Sequence, residues 1–508
     1  MKKTKEFLLT VLFLTAILLI SSCSQVPSPE TTTSTTTTGT TTTTNIAGSV
    51  VGNVVFIIQD VEDSSVISNA LVVISPSTAS SDAFGNATIM DVIIGNQSFS
   101  ASKSGYRDYE GVVNVVGGGT VTQEVNMTPS LLAPRNVAIS VSGSGQLSLS
   151  WEANTEVDIV GYNIYRGISP EVLYKINSYA ITQESYADSG LINLVYYYYK
   201  ITAINTIGAE SKYSNMVSEE AVPWISTFST NESFSDIAVD SLENIYFSSS
   251  GGRCIKKFTN SGEFVQQYGS RGEGADQFWM VGGCLVNTYG SVYAADCAHA
   301  SLGTHNRILV FNNSGSLINS WGETGDGNGQ FLHPYELSTD ASGNIYVLDN
   351  DSYGIPNHNC VQKFDSDGNF VLKFGTEEVQ YVGAGIAVDH TGRIYIADYS
   401  NHRILRFSNT GTFETQWGSE GNGNGQFGSI ASDIAIDSSG YVYVTDPDNS
   451  RIQVFDSDGN FINKIGRAGT GNGEFGLPTK IAISSSGNIY ILESMTTPVK
   501  IHKYGPLF

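Results

Sequence analysis

Six times in the last 285 residues a pair of short strands returns in the general form apolar-x-apolar-Asp, turn, apolar-Tyr-apolar, with its tyrosines at Tyr246, Tyr293, Tyr346, Tyr395, Tyr443 and Tyr490. The intervals are 47, 53, 49, 48 and 47 residues. A period of this length marks an array of small units, none of which can bury its apolar face alone, so the stretch must fold as one object. The cleanest copies, Ile386 to Asp398 and Ile434 to Asp446, alternate apolar and polar residues with period two, as half-buried strands do.

Each copy continues with a third strand, seen at Arg307 to Phe311, Arg403 to Phe407 and Arg451 to Phe455. A turn such as Asp456-Ser457-Asp458-Gly459-Asn460 then leads into a fourth strand, Phe461 to Gly466. Glycine supplies the positive φ a tight hairpin needs, and Asp and Asn bond their own backbone. Four antiparallel strands per unit, repeated around an axis, describe a β-propeller blade. The sixth copy runs from Ile481 to Tyr504 and the sequence stops at Phe508 with no fourth strand, whereas Trp224-Ile225-Ser226-Thr227-Phe228, upstream of the first copy, has the pattern of one. That segment is expected to complete blade 6 and leave no long exposed edge.

These residues resemble the NHL-repeat family. Its tripeptide is matched by Asn401-His402-Arg403, and the Gly-x-Gly-x-Gly-Gln-Phe connectors at Gly325 to Phe331 and Gly421 to Phe427 are similar to those of the family. The resemblance covers residues 223–508 and implies a six-bladed propeller. It leaves the chemistry open, because the family includes scaffolds, nucleic-acid binders and a few lyases and hydrolases.

The start of the chain reads differently. Lys2, Lys3 and Lys5 precede an apolar run from Phe7 to Ile20 and then Ser21-Ser22-Cys23, which resembles a bacterial lipoprotein signal over residues 1–22. The resemblance implies diacylglyceryl attachment at Cys23, a membrane anchor through two or three acyl chains, and a place in the cell envelope facing outside the cytoplasm. An ordinary secretory signal is the competing reading. Residues 23–44 include an almost pure threonine run, Thr31 to Thr44, expected to be a disordered tether. Residues 45–128 alternate like strands and, through Asn69-Ala70, Asp82 to Ala87, Ile94-Gly95 and Lys103 to Tyr106, are similar to the carboxypeptidase regulatory-like sandwich. Residues 133–222 resemble a fibronectin type III sandwich: Trp151 fits the core tryptophan, Gly161 to Arg166 the next strand, and Tyr197 to Ala203 the strand bearing the tyrosine corner. The expected fold class is all-β, two small β-sandwiches followed by a six-bladed β-propeller, read as a stalk carrying a head.

Net charge is −23, from 26 basic and 49 acidic residues, which argues against nucleic acid as a partner because phosphates need a basic face. Beyond Cys23 there are four cysteines. Cys284 precedes the first strand of blade 2 and Cys297 follows its second, so a 284–297 disulfide is allowed if the α-carbons fall within about 7 Å. Cys254 and Cys360 occupy the third-strand position that Arg307, Arg403 and Arg451 hold elsewhere. Without a CxxC pair there is no zinc ribbon.

Function usually sits where loops lengthen. From the blade tyrosine to the third-strand aromatic there are 12 residues in blades 1, 4 and 5, 14 in blade 6, and 18 in blades 2 and 3. The added residues lie within Asp296 to Asn306 and Asp349 to Asn359, and His333 joins them from the connection before blade 3. Asp296, His299, His305, His333, Asp349, Asp351, Tyr353 and His358 are therefore the candidate binding face. Imidazole and carboxylate on neighbouring loops suit a divalent metal, although the spacings match no metal motif, and solvated polar loops are the plainer account. The axial positions that begin the inner strands, Asp236, Cys284, Glu336, Gly385, Asp433 and Lys480, lack the histidines of a metal on the central axis. The Asp-x-Asp-Gly turns at Asp365 and Asp456 invite calcium but lack the distal glutamate of an EF-hand. No catalytic residue and no cofactor is assigned. The expected function is a membrane-anchored lipoprotein whose propeller binds a protein or glycan ligand; the alternative is an extracytoplasmic propeller lyase or hydrolase with a metal near blades 2 and 3.

Overall fold

The computed structural model describes residues 41–43, 50–297, 305–349, 359–379, 385–428 and 433–507. Among the described residues it is all-β apart from two short 3-10 turns at Tyr399–Asn401 and Pro447–Asn449, and the chain divides into two compact units, 1–130 and 131–508.

In the first unit, two four-stranded sheets face each other. One has the order Thr41–Thr43, Thr120–Met127, Val51–Asp60, Asn86–Ile93; the other has Ser77–Ser80, Leu71–Ile74, Gly95–Ser102, Tyr109–Val115. Every second residue of Val51–Asp60 is buried, so Val54, Phe56 and Ile58 meet Val72, Phe99, Val121 and Val125 in one core. The tether expectation needs correction at its end, because Thr41–Thr43 pairs antiparallel with Val121, Thr122 and Gln123. Threonine is β-branched and the outer side of Thr120–Met127 offers a free row of backbone groups, so the last part of the run zips onto that edge. The remainder of the leader and tether, with Cys23, lies outside the described residues.

The second unit begins with another sandwich, built on Leu147, Leu149, Trp151, Tyr162, Ile164, Tyr199 and Ile201. Trp151 meets the Tyr162 ring edge-on at 5.2 Å. The Ile192 backbone N–H donates to the hydroxyl of Tyr197, on the strand that carries Tyr199, at 3.0 Å.

Six four-stranded sheets follow. Blades 1 to 5 take their strands in chain order, from Asp236–Val239 to Phe264–Tyr268 in blade 1 and from Ile434–Ile436 to Phe461–Ile465 in blade 5. Blade 6 has the order Trp224–Thr230, Val499–Tyr504, Ile489–Glu493, Lys480–Ile483, so the segment before the first blade supplies the last outer strand, antiparallel to Val499–Tyr504. The blade tyrosines lie in the cores, and Tyr246, Tyr346, Tyr395 and Tyr490 are fully buried. Between blades the connectors insert Phe278, Phe331, Phe427 and Phe475, all fully buried, and each contributes about 1.5–3 kcal/mol through burial. The glycines of the connector are needed for this: the Gly327 N–H donates to Gln330 Oε1 at 3.0 Å, and a side chain at Gly325 would strike that same amide.

Candidate functional site

The second strand of each blade after the first ends in a carboxylate, and the structure turns these groups inward. In blade 5, Asp446 Oδ2 accepts from Arg451 Nε at 2.7 Å, and the guanidinium continues to the carbonyls of Asn422, Gly423 and Gln426 at 2.8–2.9 Å. Blade 4 repeats this with Asp398 and Arg403 at 2.7 Å, the arginine reaching Glu378 O at 3.0 Å. Blade 2 does so with Asp296 and Arg307 at 3.0 Å, the arginine reaching Gly274 O and Gln277 O at 2.9 Å. The reason is register: the carboxylate and the arginine are cross-strand partners at the ends of two adjacent strands. Each pair staples a blade to the connector entering it.

Two of the eight rim candidates are buried and turned onto backbone N–H groups instead of facing outward. Asp296 is fully buried, and its Oδ1 accepts the Trp279 N–H at 2.8 Å. Asp349, 2% exposed, accepts the Leu332 N–H at 3.1 Å and the His333 N–H at 2.8 Å. Its cross-strand partner is Cys360 in place of arginine, and Lys373 takes over the connector contact, donating to Asp326 O at 2.9 Å. Burial, only partly offset by the His333 and Leu332 N–H groups, pushes the Asp349 carboxyl up to about 7. His305 is part-exposed near Asp296, and His333 stacks on Tyr335 with ring centres 6.0 Å apart. His299, Asp351, Tyr353 and His358 lie outside the described residues. No group of three or more His, Cys, Asp or Glu among the described residues is placed to hold a metal ion.

The disulfide expectation is also corrected. Cys284 and Cys297 are free, buried thiols, as are Cys254 and Cys360. Cys284 stands opposite Ala294, its N–H donating to Asp236 Oδ2 at 2.7 Å, whereas Cys297 N donates to Met280 O at 2.9 Å. Pairing of Cys284 with Ala294 leaves Cys297 three residues beyond that partner, so the two thiols lie at different levels of the strand pair.

The densest chemistry sits on the axis. Lys480, which begins the inner strand of blade 6, forms ion pairs with Glu336 of blade 3, with Asp236 of blade 1 at 3.7 Å and with Asp433 of blade 5 at 3.9 Å. All four side chains are 7–8% exposed. Asp236 and Asp433 each spend a second oxygen on the next blade, accepting from Cys284 N at 2.7 Å and Ile481 N at 2.9 Å. Space for the cluster comes from Gly385, where a β-carbon would lie 2.0 Å from Asp433 Oδ1, and Gly283, where one would lie 2.5 Å from Glu336 Oε2. Burial drives the three carboxyls up, Glu336 farthest and Asp433 to about 6. Burial alone would lower the Lys480 ammonium, but Asp433, Glu336 and Asp236 outweigh it and raise it well above its ordinary value. One permanent cation thus serves three carboxyl groups at the ring centre. The Tyr335 ring lies 5.8 Å from the ammonium, which links the axis through Tyr335 to His333 on the rim.

The axial positions are identifiable in the sequence, and none of them holds the histidine that a metal on the axis would want. The usable signal was one lysine against three acids at corresponding positions of the repeat.

The NHL repeat family matches residues 384–407, within blade 4, and a family described as 6-bladed beta-propeller matches residues 437–505, across blades 5 and 6. The chain is 28% identical over 153 residues to the brain tumor protein of Drosophila melanogaster, and 38% identical over 96 residues to an amylopullulanase of Thermoanaerobacter thermohydrosulfuricus. These alignments take in 30% and 18% of this chain but 14% and 6% of the two relatives, so the chain spans a small part of either. Among solved structures it is similar to a gluconolactonase from Xanthomonas campestris, with TM-score 0.40 and 13% identity over 55% of this chain and 88% of that one. Virginiamycin B lyase from Staphylococcus aureus gives TM-score 0.38 and 13% identity over 73% and 94%. What these matches establish is an all-β chain with NHL repeats in a β-propeller.

Proposed function

We propose that the chain is a lipid-anchored protein of the cell envelope, held by Cys23 and facing outside the cytoplasm, whose propeller unit binds a protein or glycan ligand. The observation that carries this reading is the seat of Lys480 among Asp236, Glu336 and Asp433. The groups with the most reactive surroundings in the ring are spent on one another and on the backbone of neighbouring blades, which suits a rigid scaffold. A binding head asks for that rigidity and leaves recognition to the surface. The net charge of −23 keeps nucleic acid out of the ligand class.

The test uses the full chain in detergent. Immobilised protein is presented with a panel of oligosaccharides and with purified envelope proteins, and saturable, reversible binding to either class is expected. Binding to neither class, together with multiple-turnover consumption of a lactone or glycoside, would overturn the reading. In cells, Cys23→Ala should move the protein from the membrane fraction to the soluble one; an unchanged distribution removes the anchor.

A further inference from the structure

The second sandwich and the propeller are joined at Arg467, on the connector from blade 5 to blade 6. Its guanidinium donates to both oxygens of Glu219 on the sandwich, at 2.6 and 2.8 Å, and to Glu474 at 3.0 Å. Asn472 Nδ2 adds a bond to Val141 O at 3.0 Å. A bidentate arginine–carboxylate pair fixes orientation as well as distance, so the two walls are held in register.

Between those walls lies a cavity of about 430 Å³, within the size range of small-ligand sites. Tyr196 and Glu220 line one side; Asn422, Asn463 and Lys464 line the other. The sandwich wall follows from its strand pattern. Tyr197 and Tyr199 point into the core, so Tyr196 turns outward, 49% exposed, directly across the strand pair from Glu220. The Glu220 carboxyl is half-buried and receives no hydrogen bond among the described residues; burial first, and then Glu219, push its pKa up. On the propeller wall Asn463 spends its Oδ1 on the Lys464 N–H at 2.7 Å, which leaves its Nδ2 group as a donor.

The cleft therefore offers one aromatic face, one unsatisfied acceptor, an amide donor and an ammonium group. An apolar ligand would bury these polar groups without partners. A polyanion would meet Glu219, Glu220 and Glu474 in a chain of net charge −23. A sugar ring answers each feature: its hydroxyls both donate and accept, so they satisfy carboxyl and amide together, and its C–H face stacks on a tyrosine ring. We propose that this cleft binds a short neutral oligosaccharide, with Tyr196 as the stacking platform and Glu220, Asn463 and Lys464 contacting hydroxyls. The proposal rests on the reading of the chain as a binding protein and names the class of its ligand and the place where it sits.

The experiment is titration calorimetry of the full chain in detergent with maltotriose, cellotriose and chitotriose, alongside saturation-transfer NMR. At least one trisaccharide should bind. Tyr196→Ala should weaken it tenfold or more, Glu220→Gln several-fold, and Tyr196→Phe little, with melting temperatures unchanged because both side chains are partly exposed. Binding that survives both Tyr196→Ala and Glu220→Gln overturns the proposed site while leaving the chain a glycan binder. Binding of an envelope protein with no response to any trisaccharide overturns the glycan proposal and leaves the binding reading standing. No ligand of either class removes that reading itself.

Discussion

Glu243, at the tip of the first hairpin of blade 1, accepts the hydroxyl hydrogen of Tyr490 from blade 6, across the seam where the ring closes. In four other blades the equivalent tyrosine donates to the aspartate opening its own hairpin: Tyr246 to Asp240, Tyr346 to Asp340, Tyr395 to Asp389 and Tyr443 to Asp437, at 3.0–3.1 Å. Blade 6 has Ser484 at that position, so its acceptor is borrowed from blade 1. Asn488 Nδ2 at 3.1 Å and Lys503 Nζ at 3.2 Å converge on the same carboxylate oxygen.

Glu243→Ala should therefore cost on the order of 1–3 kcal/mol by leaving the Tyr490 hydroxyl and its neighbours without their acceptor. Burial alone would raise the Glu243 carboxyl, but hydrogen bonds from Ser486 and Tyr490 outweigh it and hold the group at about 2. A carboxyl depressed on folding stabilises above its unfolded pKa and loses that contribution as pH falls through the folded value. Thermal melts of wild type and variant should differ at pH 7 and converge between about pH 4.5 and 2; a constant gap would mean that the carboxylate charge is immaterial.

Deleting Trp224–Thr230 tests closure by the strand itself. The segment pairs from Trp224 with Tyr504 to Thr230 with Val499, and without it Val499–Tyr504 becomes an open edge. Lower melting temperature by many degrees and concentration-dependent aggregation are expected. A deletion variant as stable and monomeric as the parent would show that the ring closes by other means.

The repeat and its closure were legible because they rest on period-two alternation and on a buried tyrosine returning at a near-constant interval. What the sequence could not convey is direction. Asp296 and Asp349 stand where second strands meet lengthened loops, and position alone made them look like rim ligands; their carboxylates fold back onto connector N–H groups. The arginine opening the third strand in blades 2, 4 and 5 was the clue, since a cation at a register partner implies a pair. The Arg467–Glu219 clamp, whose partners stand 248 positions apart in the chain, leaves no local pattern at all.

Blade 3 carries the exception in that series, and its consequence is a pH effect. Asp349 faces Cys360 where its counterparts face arginine, and its folded pKa of about 7 lies above the ordinary carboxylate value. A group raised on folding contributes its stability at low pH and loses it as pH rises through the folded value, here from about 4 to 7. Asp349→Asn, which keeps an oxygen for the Leu332 and His333 N–H groups, should be neutral near pH 4 and stabilising by a few kcal/mol at most at pH 8. Cys360→Arg, which restores the pair of the sister blades, should flatten the same pH dependence. A wild-type stability curve that does not fall between pH 5 and 8 relative to Asp349→Asn would contradict this account.

The axial cluster gives the opposite arrangement, carboxyls held in place by a cation that never leaves. Lys480→Met preserves much of the side-chain length and removes the charge, so Asp236, Glu336 and Asp433 face one another without a counter-ion. Breaking a buried ion pair from one side typically costs about 3–5 kcal/mol, because the surviving charges are left desolvated. The carboxyls can escape by taking up protons, which their raised pKa values already favour, Asp433 at about 6 with the ammonium present. The penalty should accordingly be largest at pH 7–8 and shrink towards pH 4, where all three can be neutral. Lys480 itself, raised well above its usual value, stabilises the fold below about pH 10.5 and yields that contribution only above it, so its own titration adds no loss at neutral pH. Urea melts of both proteins across pH 4–8 measure the difference directly. A penalty independent of pH would assign Lys480 a packing role and detach the three carboxylates from the stability of the ring.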